Sequence, residues 1–307
     1  MVSSCKAKPL VRGVLGMSIN NSVNSITIVT AFFDIGRGDW STEKGHPSHL
    51  LRDNQTYLSY FENLAKLDNE MIIFTSREFE LIVKQLRKDK PTKIVTIDID
   101  REFSRELASI KSIIRSDSFQ EKVSEKQRHN PEYWSEKYIL ITNLKTYFVN
   151  RAIEDFKILN DLVAWVDFGY CRNQDTLLNI QNWYYPFDNS HIHFFTLKRD
   201  KIFSIFKNPR FPHRKKQVIH AMLNNKVYVI GGVTIGSQSI WQKFFKIVKT
   251  CQKNMLKSGL IDDDQGIYLM CHTMQPELFK FHYLGRDKEN KKTGLELCKN
   301  FMCNSYF

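Results

Sequence analysis

The stretch Ser25-Ile-Thr-Ile-Val-Thr-Ala-Phe-Phe33 decides how this chain is read. It is dense in β-branched and aromatic residues and almost continuously apolar, the pattern of a strand covered on both faces of a parallel sheet. Asp34-Ile-Gly-Arg-Gly-Asp39 follows as a turn-prone segment at its carboxyl end. Downstream, residues 56–67 predict a helix, with Tyr57, Tyr60, Phe61, Leu64 and Leu67 on one face. Residues 70–75 predict a strand, 78–87 a helix with Phe79, Ile82, Val83 and Leu86 on one stripe, and 93–99 a third strand. Strands and helices alternating in this way predict an α/β fold: a Rossmann-like, mostly parallel sheet flanked by helices, built from right-handed crossovers.

Residues 101–130 are charged and less regular, and predict a helical insertion lying over the sheet edge or the site. Residues 138–156 predict one helix, with Ile141, Leu144, Tyr147, Phe148 and Ala152 at helical spacing. Leu162-Val-Ala-Trp-Val166 is the next buried strand and runs directly into Asp167-Phe-Gly-Tyr170. Further strands are expected at 191–197 and 227–230, a loop at 208–212, and an amphipathic helix at 240–256. No Ser/Pro/Gly linker divides the chain, so residues 25–307 read as a single domain. Residues 1–24 contain Lys6 and Arg12 but no secretory apolar core, and read as a disordered leader or a remnant upstream of Met17.

With 307 residues, 42% hydrophobic and 25% charged, the composition excludes a disordered chain. No apolar run approaches the ~20 residues that a membrane helix requires. Lys and Arg total 45 against 33 Asp and Glu, a formal charge of +12. That balance suits nucleic acid, an anionic membrane surface or a phosphate-bearing substrate. The basic residues are dispersed, apart from Arg214-Lys215-Lys216 and 288–292, so no nucleic-acid partner is expected. A peripheral contact with anionic lipid headgroups remains compatible with that dispersed charge. The six cysteines form no Cys-x-x-Cys pair, which fits reduced thiols in a cytoplasmic protein.

Four constellations carry candidate chemistry. Asp167 follows a buried strand at the sheet edge, where open α/β folds bind ligands, although an Asp there also serves simply to bind turn amides. Asp262-Asp263-Asp264 brings like charges together, which calls for a cation, an Arg or a proton; one of them can equally cap the helix that follows. His282 ends a short apolar strand before Gly285, Arg286 and Lys288, either as a metal ligand beside phosphate-binding cations or as an ordinary strand histidine. Gly231-Gly232, after the strand expected at 227–230, suits close backbone approach to a ligand. There is no Gly-x-Gly-x-x-Gly, P-loop, Gly-x-Ser-x-Gly or His-Glu-x-x-His.

Taken in order, these elements resemble a glycosyltransferase of the GT-A type, and more closely the bacterial HtrL/YibB (WlaTC-like) family. The resemblance rests on Thr30-Ala-Phe-Phe-Asp-Ile-Gly-Arg37 with Trp40, on Tyr57-Leu-Ser-Tyr-Phe61 with Leu67-Asp-Asn69, and on Asn130-Pro-Glu-Tyr-Trp134 with Lys145 and Asp167-Phe-Gly169. It implies a GT-A-like domain that moves a sugar from a nucleotide-sugar, a UDP-sugar, to a bacterial surface glycan such as lipooligosaccharide, O-antigen or capsule. The implied setting is cytoplasmic, peripheral at the inner membrane, with a glycan or lipid-linked glycan as acceptor. A more distant similarity to glycosyltransferase family 8 implies Mn²⁺ (or Mg²⁺) held by Asp167 and His282, with Gly285 and Lys288 completing the His-x-x-Gly-x-x-Lys pattern. It also implies uracil and ribose at Thr30, Ala31, Phe32 and Phe33, with Phe168 and Gly169 beside Asp167. Arg37, Lys145, Arg286 and Lys288 would serve the phosphates, and Gly231, Gly232, Asp264 and Gln265 would line sugar and acceptor. Asp263 or Asp264 would act as general base or stabilise an oxocarbenium-like state. Gly169 stands where that family has a second acid, so Asp263 or Asp34 completes the site, or Arg and Lys replace the metal. Two other readings are carried alongside: a metal-dependent nucleotidyl or phosphoryl transferase with Mg²⁺ on Asp167 and Asp262 to Asp264, and a basic polyanion-binding module without catalysis.

Overall fold

Strand β1 (Ile26–Phe32) is buried along its whole length, as its apolar run requires. Ile26, Ile28 and Phe32 pack into one hydrophobic cluster, and Val29 and Ala31 into another across the sheet. In the computed structural model, which describes residues 25–177, 180–196 and 214–284, β1 is followed by α1 (Asn54–Leu64), β2 (Met71–Thr75), α2 (Glu80–Leu86) and β3 (Thr92–Thr96). Next come α3 (Ile99–Glu102), α4 (Ser104–Ile114), α5 (Asp117–Gln120), α6 (Glu136–Asn143), α7 (Lys145–Asp155) and β4 (Leu162–Val166). The remainder runs β5 (Ile192–Thr196), α8 (Arg214–Leu223), β6 (Ile230–Ser237), α9 (Gln238–Lys257), α10 (Asp264–Met274) and β7 (Phe279–Tyr283).

The seven strands form one sheet in the order β3-β2-β1-β4-β6-β5-β7. Pairing is parallel from β3 through β4 and again between β5 and β7, while β6 runs antiparallel to both neighbours. The expected α/β architecture with a mostly parallel sheet is therefore the observed one. The chain builds outward from β1 through β2 to β3, then returns to place β4 on the other side of β1. That reversal opens a crevice beyond the carboxyl ends of β1 and β4, the place where such sheets bind ligands. Because β6 is reversed, its amino end arrives at the same edge.

Three expectations need correction. The strand expected at 227–230 is β6 at Ile230–Ser237, which contains Gly231, Gly232 and Gly236 rather than preceding them. Glycine reads as a break in a sequence, yet here each glycine faces a close neighbour: Asp264 leaves no room for a side chain at Gly231, and the fit at Gly232 and Gly236 is tight. A Cβ on Gly236, for example, would stand 3.0 Å from the Ile192 side chain. The helix expected over 138–156 is two helices meeting at Leu144. There the Asn143 carbonyl accepts a 2.9 Å bond from Gln252 Nε2, a side chain entering the helical ladder. Finally, of the two placements expected for the 101–130 region, over the sheet edge or over the site, the second is corrected, since none of its residues lines the crevice. Ile110, Ile114, Phe119 and Val123 are buried in the main core, and α4 packs on α6. Its charges are the solvent side of a core layer. Residues 1–24 and the loop expected at 208–212 lie outside the described residues.

Candidate active site

A cavity of about 400 Å³ occupies the crevice between β1 and β4. Its size is typical of small-molecule sites. Ala31, Phe32 and Phe33 line it from the end of β1, Asp167, Phe168 and Gly169 from the end of β4, and Gly231 and Gly232 from the start of β6. Lys145 enters from the first residue of α7, and Asp264 and Gln265 from the first turn of α10. Arg37, Arg52, Asn54, Tyr57, Tyr138, Thr142 and Arg172 complete most of the remaining wall.

At its floor stands a buried ion cluster. Lys145 Nζ lies 2.9 Å from Asp167 Oδ1 and 3.0 Å from Asp264 Oδ2, and donates a third bond of 3.0 Å to the Gly231 carbonyl. An ammonium has three N–H donors, so all of Lys145 is committed. A cation at the first position of a helix opposes the helix dipole. Its presence there is explained by the carboxylates that face it. Burial alone would weaken the Lys145 ammonium, but Asp167 and Asp264 outweigh it and raise its pKa above the ordinary lysine value. Burial pushes the Asp264 carboxyl up to about 7, with Lys145 pulling down and Asp263 and Asp167 pushing up. Asp167 is better solvated, with 41% of its side chain exposed against 3% for Asp264. Trp165 Nε1 donates a 2.7 Å bond to Asp167 Oδ1, the same oxygen that meets Lys145.

The glycines make this geometry possible. A Cβ on Gly231 would fall 2.1 Å from Asp264 Oδ2, and one on Gly169 would fall 2.7 Å from the Tyr57 ring. Gly169 is therefore the consequence of a tyrosine packed over it, and a second acid has no space at that position. Arg37 lies 4.7 Å from the Trp40 ring centre, 5.3 Å from that of Tyr57 and 5.5 Å from that of Tyr138, so the rings hold its guanidinium at the wall. Beside it Glu132, from the Asn130-Pro-Glu-Tyr-Trp134 motif, is buried, and its pKa is raised by that burial against the pull of Arg37.

Most of the sequence-derived donor set converges here. Ala31, Phe32, Phe33, Arg37, Lys145, Asp167, Phe168, Gly169, Gly231, Gly232 and Gln265 all line the cavity. Thr30 does not: it is fully buried inside β1. Gly285, Arg286 and Lys288 lie outside the described residues. Of the proposed catalytic acids only Asp264 faces the cavity. Asp263 caps α10, accepting a 2.9 Å bond from the Gln265 amide, and burial raises its carboxyl to about 7. Asp34 accepts bonds from the Gly36 amide and from Asn54 Nδ2 and does not line the cavity.

The structure does not bring His282 to Asp167. His282 lies on β7, and β6 and β5 stand between that strand and β4. Neighbouring strands are ~4.8 Å apart, so three spacings amount to roughly 14 Å. The imidazole is engaged elsewhere, 2.8 Å from His193 Nδ1 through its Nε2. The donors of the expected Mn²⁺ or Mg²⁺ site are thus divided, and the carboxylates at the cavity already share an ammonium. The residues present do not fit a divalent metal held by Asp167 and His282.

Sequence reasoning overlooked Arg52, Arg172, Asn54, Tyr138 and Thr142 as site residues. Arg172 carried a weak signal, lying on the same post-strand loop as Asp167. Other motif residues turn out to be structural: Asn69 Nδ2 donates to the Ile26 and Trp183 carbonyls at 2.9 and 3.0 Å, tying the segment before β2 to the start of β1.

Residues 24–288 match the profile of a family described as "Bacterial protein of unknown function (HtrL_YibB)". This chain belongs to the HtrL/YibB family. Protein HtrL of Escherichia coli K12 is 44% identical over 265 residues, covering 86% of this chain and 90% of that protein. Among solved structures, the apo form of mouse xyloside xylosyltransferase 1 is similar over 84% of both chains, at 12% identity and a TM-score of 0.39. Family membership leaves the activity to be argued from the cavity. Among the described residues, no helix is long and apolar enough to cross a membrane.

Proposed function

We propose that this HtrL/YibB chain is a glycosyltransferase that takes a sugar from a nucleoside diphosphate donor, a UDP-sugar, and passes it to a hydroxyl of a bacterial surface glycan. The observation that carries this reading is the cavity at the β1/β4 reversal, where four cations and two carboxylates line one concave site. The donor has matching parts. A planar base suits the end of β1 beside the half-buried Tyr57 ring, and a diphosphate suits the arginines. A polyhydroxylated sugar suits Asp264, Gln265 and the bare backbone at Gly231-Gly232.

In the reaction, the bond from the anomeric carbon to the β-phosphate oxygen breaks and its electron pair stays on that oxygen. The acceptor oxygen bonds to the anomeric carbon and gives up its proton. Cations fixed in place before the reaction lower the barrier by meeting the charge that develops on the leaving diphosphate. Asp264, with its carboxyl near 7, is matched to taking the acceptor's proton or to stabilising an oxocarbenium-like state at neutral pH. The formal charge of +12 favours a lipid-linked acceptor met at an anionic cytoplasmic membrane surface.

A thermal-shift titration with UDP, UDP-sugars, other nucleotides and polyanions tests this on wild type and Asp167→Ala. Ligand at a hundred-fold excess over Kd adds about 2.7 kcal/mol to apparent stability. A uridine-selective shift that is weakened in Asp167→Ala is expected. Salt-sensitive polyanion binding, with no nucleotide shift and no effect of Asp167→Ala, would replace the transferase with a binding module.

A further inference from the structure

We propose that arginines, not a divalent cation, take up the leaving diphosphate in this protein: Arg52 and Arg172 clamp its two phosphates at the cavity mouth, while Lys145 neutralises the carboxylates beneath. This deepens the transferase reading and rests on it for the identity of the anion.

Three observations support the assignment. First, the carboxylates that would hold a metal are already bridged by a cation of the chain itself. Lys145 lies 2.9 Å from Asp167 and 3.0 Å from Asp264, and its third proton goes to the Gly231 carbonyl. A divalent ion at that point would meet a buried ammonium, and displacing it would leave Lys145 charged and unpaired in a dry site. Second, an acid at position 169 could not join Asp167, because the Tyr57 ring fills the space above Gly169. Third, Arg52 and Arg172 line the same wall, from the loop before α1 and the loop after β4. The Arg172 guanidinium is pulled below the ordinary arginine value by burial first and by Arg52 second, against the pull of Tyr57, Tyr60 and Asp167. Planar N–H forks match phosphate oxygens in pairs, and two of them on one cavity wall suit an anion with two phosphates.

The division of labour follows. Lys145 has no proton left for a phosphate, so it acts as a positioning residue that keeps Asp264 aimed at the sugar. As the glycosidic bond breaks, the electron pair on the β-phosphate oxygen is met by the arginine pair.

Isothermal titration calorimetry of the full chain with UDP and with inorganic pyrophosphate, each in EDTA and in Mn²⁺, tests the proposal. Both ligands are expected to bind with Kd values within about twofold in the two buffers. Arg172→Gln should weaken both by about tenfold or more, the loss of a charge-assisted hydrogen-bonded pair. Lys145→Ala should gain binding of Mn²⁺ alone, read by the loss of the free-ion Mn²⁺ electron paramagnetic resonance signal, because it bares two carboxylates; Arg52→Gln should not. If that variant does not fold, the wild-type comparison in the two buffers and Arg172→Gln decide the matter. Binding of UDP that requires Mn²⁺ and vanishes in EDTA would overturn the arginine clamp while leaving the transferase. Metal-free binding of pyrophosphate without UDP would keep the clamp and overturn the transferase. Binding of neither would overturn both.

Discussion

Two polar clusters sit in this sheet, and they solve the problem of charge in opposite ways. At the β1/β4 crevice, Asp167, Lys145 and Asp264 form a mostly buried group in which one ammonium serves two carboxylates. At the far edge, Asp188 accepts a 2.6 Å contact from Lys280 Nζ and another from His191 Nδ1, while His193 and His282 share a 2.8 Å contact. Burial pushes the Asp264 carboxyl of the crevice up, but at the edge Lys280, His191 and Ser190 overcome it and hold Asp188 well below the usual carboxylate range. The difference is water. The edge cluster disperses its charge into solvent, whereas the crevice cluster depends on its partners and lines a cavity.

Breaking the crevice should therefore cost most. Lys145→Met leaves Asp264 buried and Asp167 beside it without their counter-ion, and should lower stability by about 3–5 kcal/mol in denaturant unfolding. A loss below about 1 kcal/mol would show that water already reaches the cluster. Gly169→Asp comes next, because its side chain meets the Tyr57 ring. Overpacking should cost about 1–3 kcal/mol, and the double variant with Tyr57→Ala should regain part of it. An unchanged melting temperature for Gly169→Asp would mean that the ring moves aside freely.

The clusters also oppose each other in pH. Asp263 and Asp264 titrate near 7 in the folded state and near 3.8 otherwise, so folding favours their protonated forms. Their contribution is full below about 4 and is lost as pH rises toward 7. His282 is pushed down to about 4 by burial and by His193, from an ordinary 6.5. Its contribution is full above about 6.5 and is lost as pH falls toward 4. Unfolding free energies measured between pH 4 and 7 should separate the two. On acidification Asp264→Asn should lose stability more steeply than wild type, and His282→Asn less steeply. Parallel curves for all three proteins would remove both assignments. The smallest effect is expected on binding: His282→Asn should leave the UDP Kd within about twofold of wild type. A tenfold loss would return His282 to the site.

Much of this molecule is legible in its sequence. The run from Ser25 to Phe33 specifies a strand with core on both sides, because continuous β-branched and aromatic residues suit only a doubly covered position. Asp167 was found as the residue leaving a buried strand, and the acids before α10 as a helix start. What escaped was anything that depends on which strand lies beside which. His282 fits a ligand pattern as a string, yet β5 and β6 are inserted between its strand and β4. Gly231-Gly232 reads as a break, yet it lies inside a strand pressed against Asp264 and Tyr170. Arg52 and Arg172 carry no motif because they meet only when distant loops fold to one edge.

The sequence by itself determined the α/β class and the sheet edge at which the cavity opens. Those follow from local periodicity and from the rule that ligands gather at the strand ends where the order reverses, whereas many residues of the cavity wall came from the family resemblance. Only the tertiary structure decided that Lys145, at the start of a helix, would reach across to Asp167 and Asp264. A buried ammonium is stable where its carboxylates are, and their place is set by packing between segments far apart in the chain.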